Sequence, residues 1–154
     1  MAFEETLAIR LRAAYMHLHS SANRHFRSFD ATANQYAVLT CLADEAGITQ
    51  QMLVERLTSD RRTISNTLAQ LQGMGFVTRR AHPKDQRAWA LYLTRKGSSK
   101  QKLLYESAEG LRNQLEEAVP PEHLKMVLDC LESMAKRLDP DEVEKVITKN
   151  STRK

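Results

Sequence analysis

Between Asp60 and Gly73 the sequence reads DRRTISNTLAQLQG, and its chemistry is that of hydrogen bonding rather than of a nucleophile. Ile64, Leu68 and Leu71 fall at i, i+4 and i+7, so a helix puts them on one face. Turning about 100° per residue places Arg62, Asn66 and Ala69 opposite, flanked by Thr63, Ser65 and Gln70, with Arg61 in the first turn. No acidic side chain follows Asp60 in this stretch. Arginine can bond guanine N7 and O6 together, Asn or Gln can do the same at adenine, and Ala or Thr can touch the thymine methyl. Such a face could read base edges, where an ordinary solvated helix face would need no such selection.

A second group lies just downstream. Arg79, Arg80, Lys84 and Arg87 accompany Asp85 around the turn-rich HPKDQR segment at 82–87. Residues 59–100 hold nine basic and two acidic side chains, a net +7, which leaves −3 for the rest of a chain whose total is +4. Positive charge this concentrated suits a polyanion and implies a salt-dependent affinity. A membrane surface would instead want a basic amphipathic helix, and this segment alternates as a hairpin does.

Other chemistries find little support. The five histidines, His17, His19, His25, His82 and His123, form no metal-binding pattern, and no nucleophile elbow, phosphate loop or dinucleotide fingerprint is present. Neither an enzyme nor a bound cofactor is expected. Cys41 and Cys130 have no Cys-x-x-Cys spacing. They read as buried apolar thiols, Cys41 with no adjacent cation, the alternative being an oxidant sensor through either one.

The elements that must hold these groups follow from periodicity. A long helix is expected from Ala2 to Phe29, its seam running through Phe3, Leu7, Leu11, Ala14, Leu18, Ala22, His25 and Phe29. Its apolar excess suits a dimer interface. Thr32-x-x-Gln35 makes a capping box for a second helix reaching about Glu45, with Tyr36, Leu39, Leu42 and Ala43 inward, and Gly47 ends it. Ile48-Thr49 could pair with the hairpin, and Gln50–Leu57 forms a short helix with Met52, Leu53 and Leu57 inward. After the Thr58-Ser59 connection, the helix above starts at Ser59 or Asp60 and ends near Gly73-Met74-Gly75. Strands at Phe76–Ala81 and Ala88–Leu93 follow, then a helix from Arg95 to Val119 with Leu103, Leu104, Leu111 and Leu115 on its apolar side. Pro120-Pro121 breaks it. A further helix carries Leu124, Val127, Leu128, Leu131, Met134 and Leu138, and Asp139-Pro140-Asp141-Glu142 reads as one more helix start. The fold class is mostly α with a small β-hairpin wing, in the order helix-turn-helix then hairpin.

The run TQQMLVERLTSDRRTISNTLAQLQGMGFVTRRAHPKDQRAWALYLTRKG closely resembles the MarR family of winged-helix transcriptional regulators. The resemblance is carried by Thr49, Gln50, Leu53, Leu57, Asp60, Arg61, Thr63, Leu68, Leu71, Gly75, Val77, Arg79, Asp85, Arg87, Leu93, Thr94 and Gly97. The sequence departs from that pattern at Val54, at Ser59 and at Gln86. The resemblance implies one MarR-type domain over 1–154, with a winged helix-turn-helix DNA-binding unit at 32–94, dimerisation helices at 1–29 and 95–148, and a tail at 149–154. It implies that Arg87 enters a minor groove while Asp85 holds it or braces the wing, and that the partners are a pseudo-palindromic DNA duplex and a second copy of the chain. A small-molecule effector, such as an aromatic acid, would sit near Tyr15, His19 and Tyr36. A constitutive DNA-binding protein and a protein-binding winged helix are the alternatives.

Composition agrees with this class. At 154 residues, 42% hydrophobic and 27% charged, the chain can build one real core. No apolar run approaches the roughly 18 residues of a membrane span, and the N-terminus mixes charges into its apolar positions, so a cytoplasmic protein is expected.

Overall fold

The computed structural model describes residues 6–139. Contacts divide the chain into two compact units, Met1–Glu109 and Gly110–Lys154, within the span that the sequence reading counts as one domain. The described residues form a mostly helical winged helix-turn-helix whose sheet is one antiparallel hairpin.

In the first unit, α1 spans Leu7–Arg27 and carries Arg24 and Arg27 in its last turn, where cations suit the negative end of the helix dipole. Its one buried residue is Phe26, stacked on Tyr36 of the next helix with ring centroids 4.6 Å apart. The expected seam missed Phe26. Among the described residues, α1 meets the core cluster at its C-terminal end, through Ala22 and Phe26, while Leu7 and Leu11, on that seam, stay exposed. The stretch from Ala2 to Glu5 lies outside the described residues.

Helix α2, Ala33–Asp44, begins with the expected capping box: Thr32 Oγ1 accepts from Gln35 N–H, and Gln35 Oε1 accepts from Thr32 N–H. Val38, Leu39 and Leu42 are its buried apolar side chains. Ala43, expected inward, is exposed, because Val38 rather than Ala43 completes the i, i+4 stripe with Leu42. Gly47 has φ +82° and would bring a Cβ to 3.0 Å from the Tyr92 hydroxyl, so both backbone and space favour glycine. Gly47 N–H donates to Leu91 O at 2.8 Å, and Leu91 N–H donates to Ile48 O at 3.0 Å. The expected pairing with the wing thus takes the form of two backbone bonds, and the sheet keeps two strands.

Helix α3, Gln50–Arg56, is capped by Thr49 and buries Leu53 fully. Met52, expected inward, is exposed, since the inward arc of this short helix runs from Leu53 through the half-buried Val54 to Leu57. Thr58, at φ +46°, makes the tight turn into α4, Arg61–Gly73. Strands β1, Val77–Ala81, and β2, Trp89–Leu93, pair with Val77 opposite Leu93 and Ala81 opposite Trp89. One apolar cluster joins α1 through Phe26, α2, α3 through Leu53, α4 through Ile64, Leu68 and Leu71, the hairpin through Val77 and Leu91, and α5 through Leu104. Each fully buried Leu or Phe contributes about 1.5–3 kcal/mol relative to exposure.

Helix α5 covers Arg95–Ser107 and α6 covers Glu109–Glu117, where the sequence reading expects one helix to Val119. The break falls at Ala108. Ser107 Oγ donates to Leu104 O at 2.9 Å and also meets His25 Nε2 at 3.1 Å, so this side chain competes with the helical ladder. In the second unit, α7 runs Pro121–Arg137 after the expected proline break, with Pro121 in its first turn. Its Leu128 and Leu131 and its C-cap Leu138 are all exposed. The helix start at 139–142 and the tail at 149–154 lie outside the described residues, apart from Asp139. No helix among the described residues is long and apolar enough to cross a membrane.

Candidate nucleic-acid interface

Asp60, rather than Ser59, caps α4. Its carboxylate accepts from Thr63 N–H at 2.8 Å and from the Thr63 hydroxyl at 2.7 Å. Those bonds, the hydroxyl first, hold the Asp60 carboxyl below its ordinary pKa. Inward, α4 buries Ile64, Thr67, Leu68 and Leu71, and the Thr67 hydroxyl is satisfied by Thr63 O at 2.8 Å. Outward, Arg61, Arg62, Ser65, Asn66, Ala69 and Gln70 are exposed. The phase read from the sequence is therefore the phase of the folded helix.

The six polar candidates on α4 are not alike. Thr63 is half-buried and spends its hydroxyl on the cap. Arg61 Nη2 donates to Gln51 Oε1 on α3 at 3.1 Å. Gln70 Oε1 accepts from Gln35 Nε2 on α2 at 3.0 Å. Arg62, Ser65 and Asn66 carry no side-chain hydrogen bond among the described residues, and their donors and acceptors face solvent. A winged helix that docks on protein through α4 would bury apolar side chains at these positions.

The wing is folded by its own polar groups. Asp85 Oδ1 accepts from Arg87 N–H at 2.9 Å, Ala88 N–H donates to Asp85 O at 3.1 Å, and His82 Nδ1 accepts from Lys84 N–H at 3.2 Å. Asp85 therefore holds the backbone of Arg87 in an Asx-turn. Lys84 and Arg87 are exposed at this tip. Farther down the hairpin the Arg79 guanidinium lies 5.1 Å from the centroid of Trp89, and that of Arg80 lies 5.1 Å from the centroid of Tyr92. Between α4 and the wing opens a concavity of about 540 Å³, lined in part by Ser65, Ala69, Gln72, Arg79, Asp85 and Trp89. Trp89 and Gln51 line the same concavity without having been singled out in the sequence, and the signal for Trp89 was its place among the alternating residues of β2.

The three residues expected near an effector fall into two contacts. Tyr15 and His19 stack on each other along α1 with centroids 5.9 Å apart, Tyr15 being largely exposed, while Tyr36 stacks on Phe26. The cysteines differ from their sequence reading. Cys130 is exposed rather than buried. Cys41 is half-buried and does have a cation beside it, Arg56, which also bridges Asp44 at 2.9 Å and Glu45 at 2.8 Å. Burial still pushes the Cys41 thiol up, and Arg56 only partly opposes it, so the thiol lacks the low pKa of a reactive cysteine. No group of three or more His, Cys, Asp or Glu among the described residues could hold a metal ion.

Comparison with known proteins bears on this surface. Residues 31–89 match the model of the MarR family. Over 68 residues, 44% of this chain and 50% of the relative, the sequence is 38% identical to the transcriptional regulator HosA of Escherichia coli O111:H-. The chain spans about half the length of the curated relatives it matches. The fold is similar to that of a transcriptional repressor, CouR, bound to a 23-mer DNA duplex, with a TM-score of 0.76 at 23% identity over 86% of this chain and 94% of that one. It is similar also to BpsR of Bordetella bronchiseptica, whose DNA binding is regulated by 6-hydroxynicotinic acid, with a TM-score of 0.79 at 21% identity over 88% and 96% of the two chains. At such identities the structures speak for the fold alone. The family match falls on the helix-turn-helix and wing, from Ala31, just before the cap of α2, to the first residue of β2.

Proposed function

We propose that this chain is a sequence-specific, double-stranded-DNA-binding transcriptional regulator, a homodimeric repressor in a bacterial cytoplasm that a small aromatic acid releases from its operator. The observation that carries the reading is the set Arg62, Ser65 and Asn66, exposed on α4 with no side-chain hydrogen bond among the described residues, beside a wing that presents Lys84 and Arg87. In this reading α4 enters a major groove with Arg62 and Asn66 at base edges, while Lys84 and Arg87 contact phosphates and a minor groove.

The dimer is inferred from uncovered apolar surface. On α1, Leu7 is 63% and Tyr15 59% exposed; on α7 Leu128 is 57% exposed, and its C-cap Leu138 is 71% exposed. Residues 1–29 and 95–148 would supply the interface, in one MarR-type domain with the winged unit at 32–94. Half-sites would then lie about 34 Å apart, one helical turn, so that two α4 helices reach one face of a duplex. The repressor role and the effector rest on relatives: CouR is named a transcriptional repressor, and the DNA binding of BpsR is regulated by 6-hydroxynicotinic acid. Tyr15, His19 and Tyr36 remain the candidates for contacting such an acid.

The test is selection of a duplex from a random pool, followed by anisotropy titration of that duplex and a scrambled one, with and without aromatic acids. Tight binding of the selected duplex, weakened by an acid, is expected. Equal affinity for both duplexes would overturn sequence-specific recognition, and a monomer by ultracentrifugation at micromolar concentration would overturn the dimer.

A further inference from the structure

Two successive arginines of β1 each lie over an aromatic ring of β2. The register sets this arrangement. Arg79 stands opposite Leu91 and Arg80 opposite Ala90, so the rings they reach are diagonal neighbours two positions away, Trp89 and Tyr92. Long side chains span such diagonals. Adjacent residues of a strand point to opposite faces, so the two pairs lie on opposite sides of the hairpin.

The pairs differ in surroundings. Tyr92 is half-buried with its hydroxyl against Gly47, which is a packing role. Trp89, the sole tryptophan of the chain, is 53% exposed. With Arg79 it lines the concavity between the wing and α4, across from Ser65 and Ala69. Burial therefore gives only a partial reason for an indole at this position. Arg79 makes no side-chain hydrogen bond among the described residues, so its packing on the Trp89 ring is what orders it.

We propose that Trp89 is a positioning residue, whose ring holds the Arg79 guanidinium at the mouth of the gap between α4 and the wing, ready for a DNA phosphate. A cation over an aromatic face uses the ring quadrupole and leaves its N–H donors for an anion. Ordering the side chain before binding reduces the freedom it gives up on meeting DNA. This inference rests on the DNA-binding reading above.

The test uses the full chain and a mixed-sequence duplex of about 30 base pairs, long enough for two half-sites, titrated across salt. Arg79→Ala is expected to lower the slope of log affinity against log salt by about one unit for each phosphate it no longer neutralises. Trp89→Leu, which keeps an apolar side chain on β2, is expected to weaken binding about two- to five-fold, and Trp89→Phe to restore most of that loss. The double variant should bind like Arg79→Ala alone. Arg79→Lys, which keeps the charge and loses the planar group, should bind several-fold more weakly than wild type. Wild-type affinity in Trp89→Leu or in Arg79→Lys overturns the proposal, as does a double variant that loses the product of the single effects. The lysine variant decides the matter if the leucine variant does not fold. A wild-type chain that binds no duplex overturns the DNA-binding reading itself, whereas a wild type that binds beside unaffected variants overturns only the role of Trp89.

Discussion

Gln35 on α2 donates its side-chain amide to Gln70 Oε1 on α4 at 3.0 Å, while its own Oε1 accepts from Thr32 N–H at 3.2 Å. A single buried amide thus closes the cap of α2 and ties that helix to the outer edge of α4. Gln70 is then a support as well as a candidate reader. Gln70→Ala leaves a mostly buried donor on Gln35 without its partner and is expected to cost about 1 kcal/mol of stability. Urea unfolding measures this. An unchanged midpoint and slope would return Gln70 to a purely DNA-facing role.

Gly97 illustrates a different constraint. A Cβ built there would sit 1.9 Å from Phe76 O, a backbone atom that cannot swing aside. The first turn of α5 is pinned at this spot, since the Thr94 hydroxyl donates to Gly75 O at 2.7 Å and accepts from Gly97 N–H at 2.9 Å. Gly97→Ala must push α5 off the base of the wing, and a loss of about 3 kcal/mol or more is expected, at the upper end of overpacking effects. Thermal melting decides it, and a melting point within a few degrees of wild type would show that α5 can shift freely. Gly73→Ala, with open space around its Cβ, is the control.

These two sites mark the boundary of what the sequence reveals. The phase of α4 was legible because Ile64, Leu68 and Leu71 keep a helical period and the opposite face lacks acids, which are local facts. The capping box at Thr32 and the turn at 82–87 were legible for the same reason. The partners of Gln70 and Arg61 were not, because Gln35 and Gln51 are brought there by packing between helices. The stack of Arg79 on Trp89 needed the strand register, which periodicity alone does not supply. The break at Ala108 depended on Ser107 meeting His25 from the other end of the unit. Arg56 reached Cys41 by the same route, from α3 across to α2.

The two thiols should separate by reactivity. Cys130 is exposed, while burial raises the Cys41 pKa above its ordinary value of 9.0, against the opposing charge of Arg56. At neutral pH a disulfide reagent is expected to label Cys130 first and Cys41 far more slowly. A folded pKa above the unfolded one means that the protonated thiol supports the fold fully below pH 9.0 and loses that support as pH rises through the folded value. Any contribution of Cys41 to pH-dependent stability is thus confined to alkaline solution. Labelling rates from pH 7 to 10 measure the order, and faster labelling of Cys41 than of Cys130 at neutral pH would revive the oxidant-sensing alternative.

Reading and anchoring should separate in the same way on DNA. Arg62 and Asn66 carry no side-chain hydrogen bond among the described residues, and in the proposed DNA-binding reading Arg62→Ala and Asn66→Ala remove groups aimed at base edges. Each is expected to cost about 1–3 kcal/mol on a selected operator and to relax preference at one base position. Lys84 lies at the wing tip, where phosphates are the nearer partners. Its removal should weaken operator and scrambled duplex alike and lower the salt slope by about one unit for each phosphate left without its cation. Arg87 is the mixed case. Asp85 fixes its backbone at 2.9 Å and leaves the guanidinium to reach outward. A narrow A·T-rich minor groove attracts such a group more strongly, so Arg87→Ala should lose more affinity on an A·T-rich flank than on a G·C-rich one. Asp85→Ala releases the Asx-turn and should reproduce much of the Arg87→Ala loss although it removes a negative charge. That sign separates support from simple electrostatics, because charge alone predicts tighter binding when an acid is deleted. Salt titrations of the variants on operator, scrambled and flank-swapped duplexes measure all of this. Tighter binding by Asp85→Ala would mean that the turn holds its shape without the carboxylate, and equal losses on both duplexes for Arg62 and Asn66 would mean that α4 does not read sequence through them.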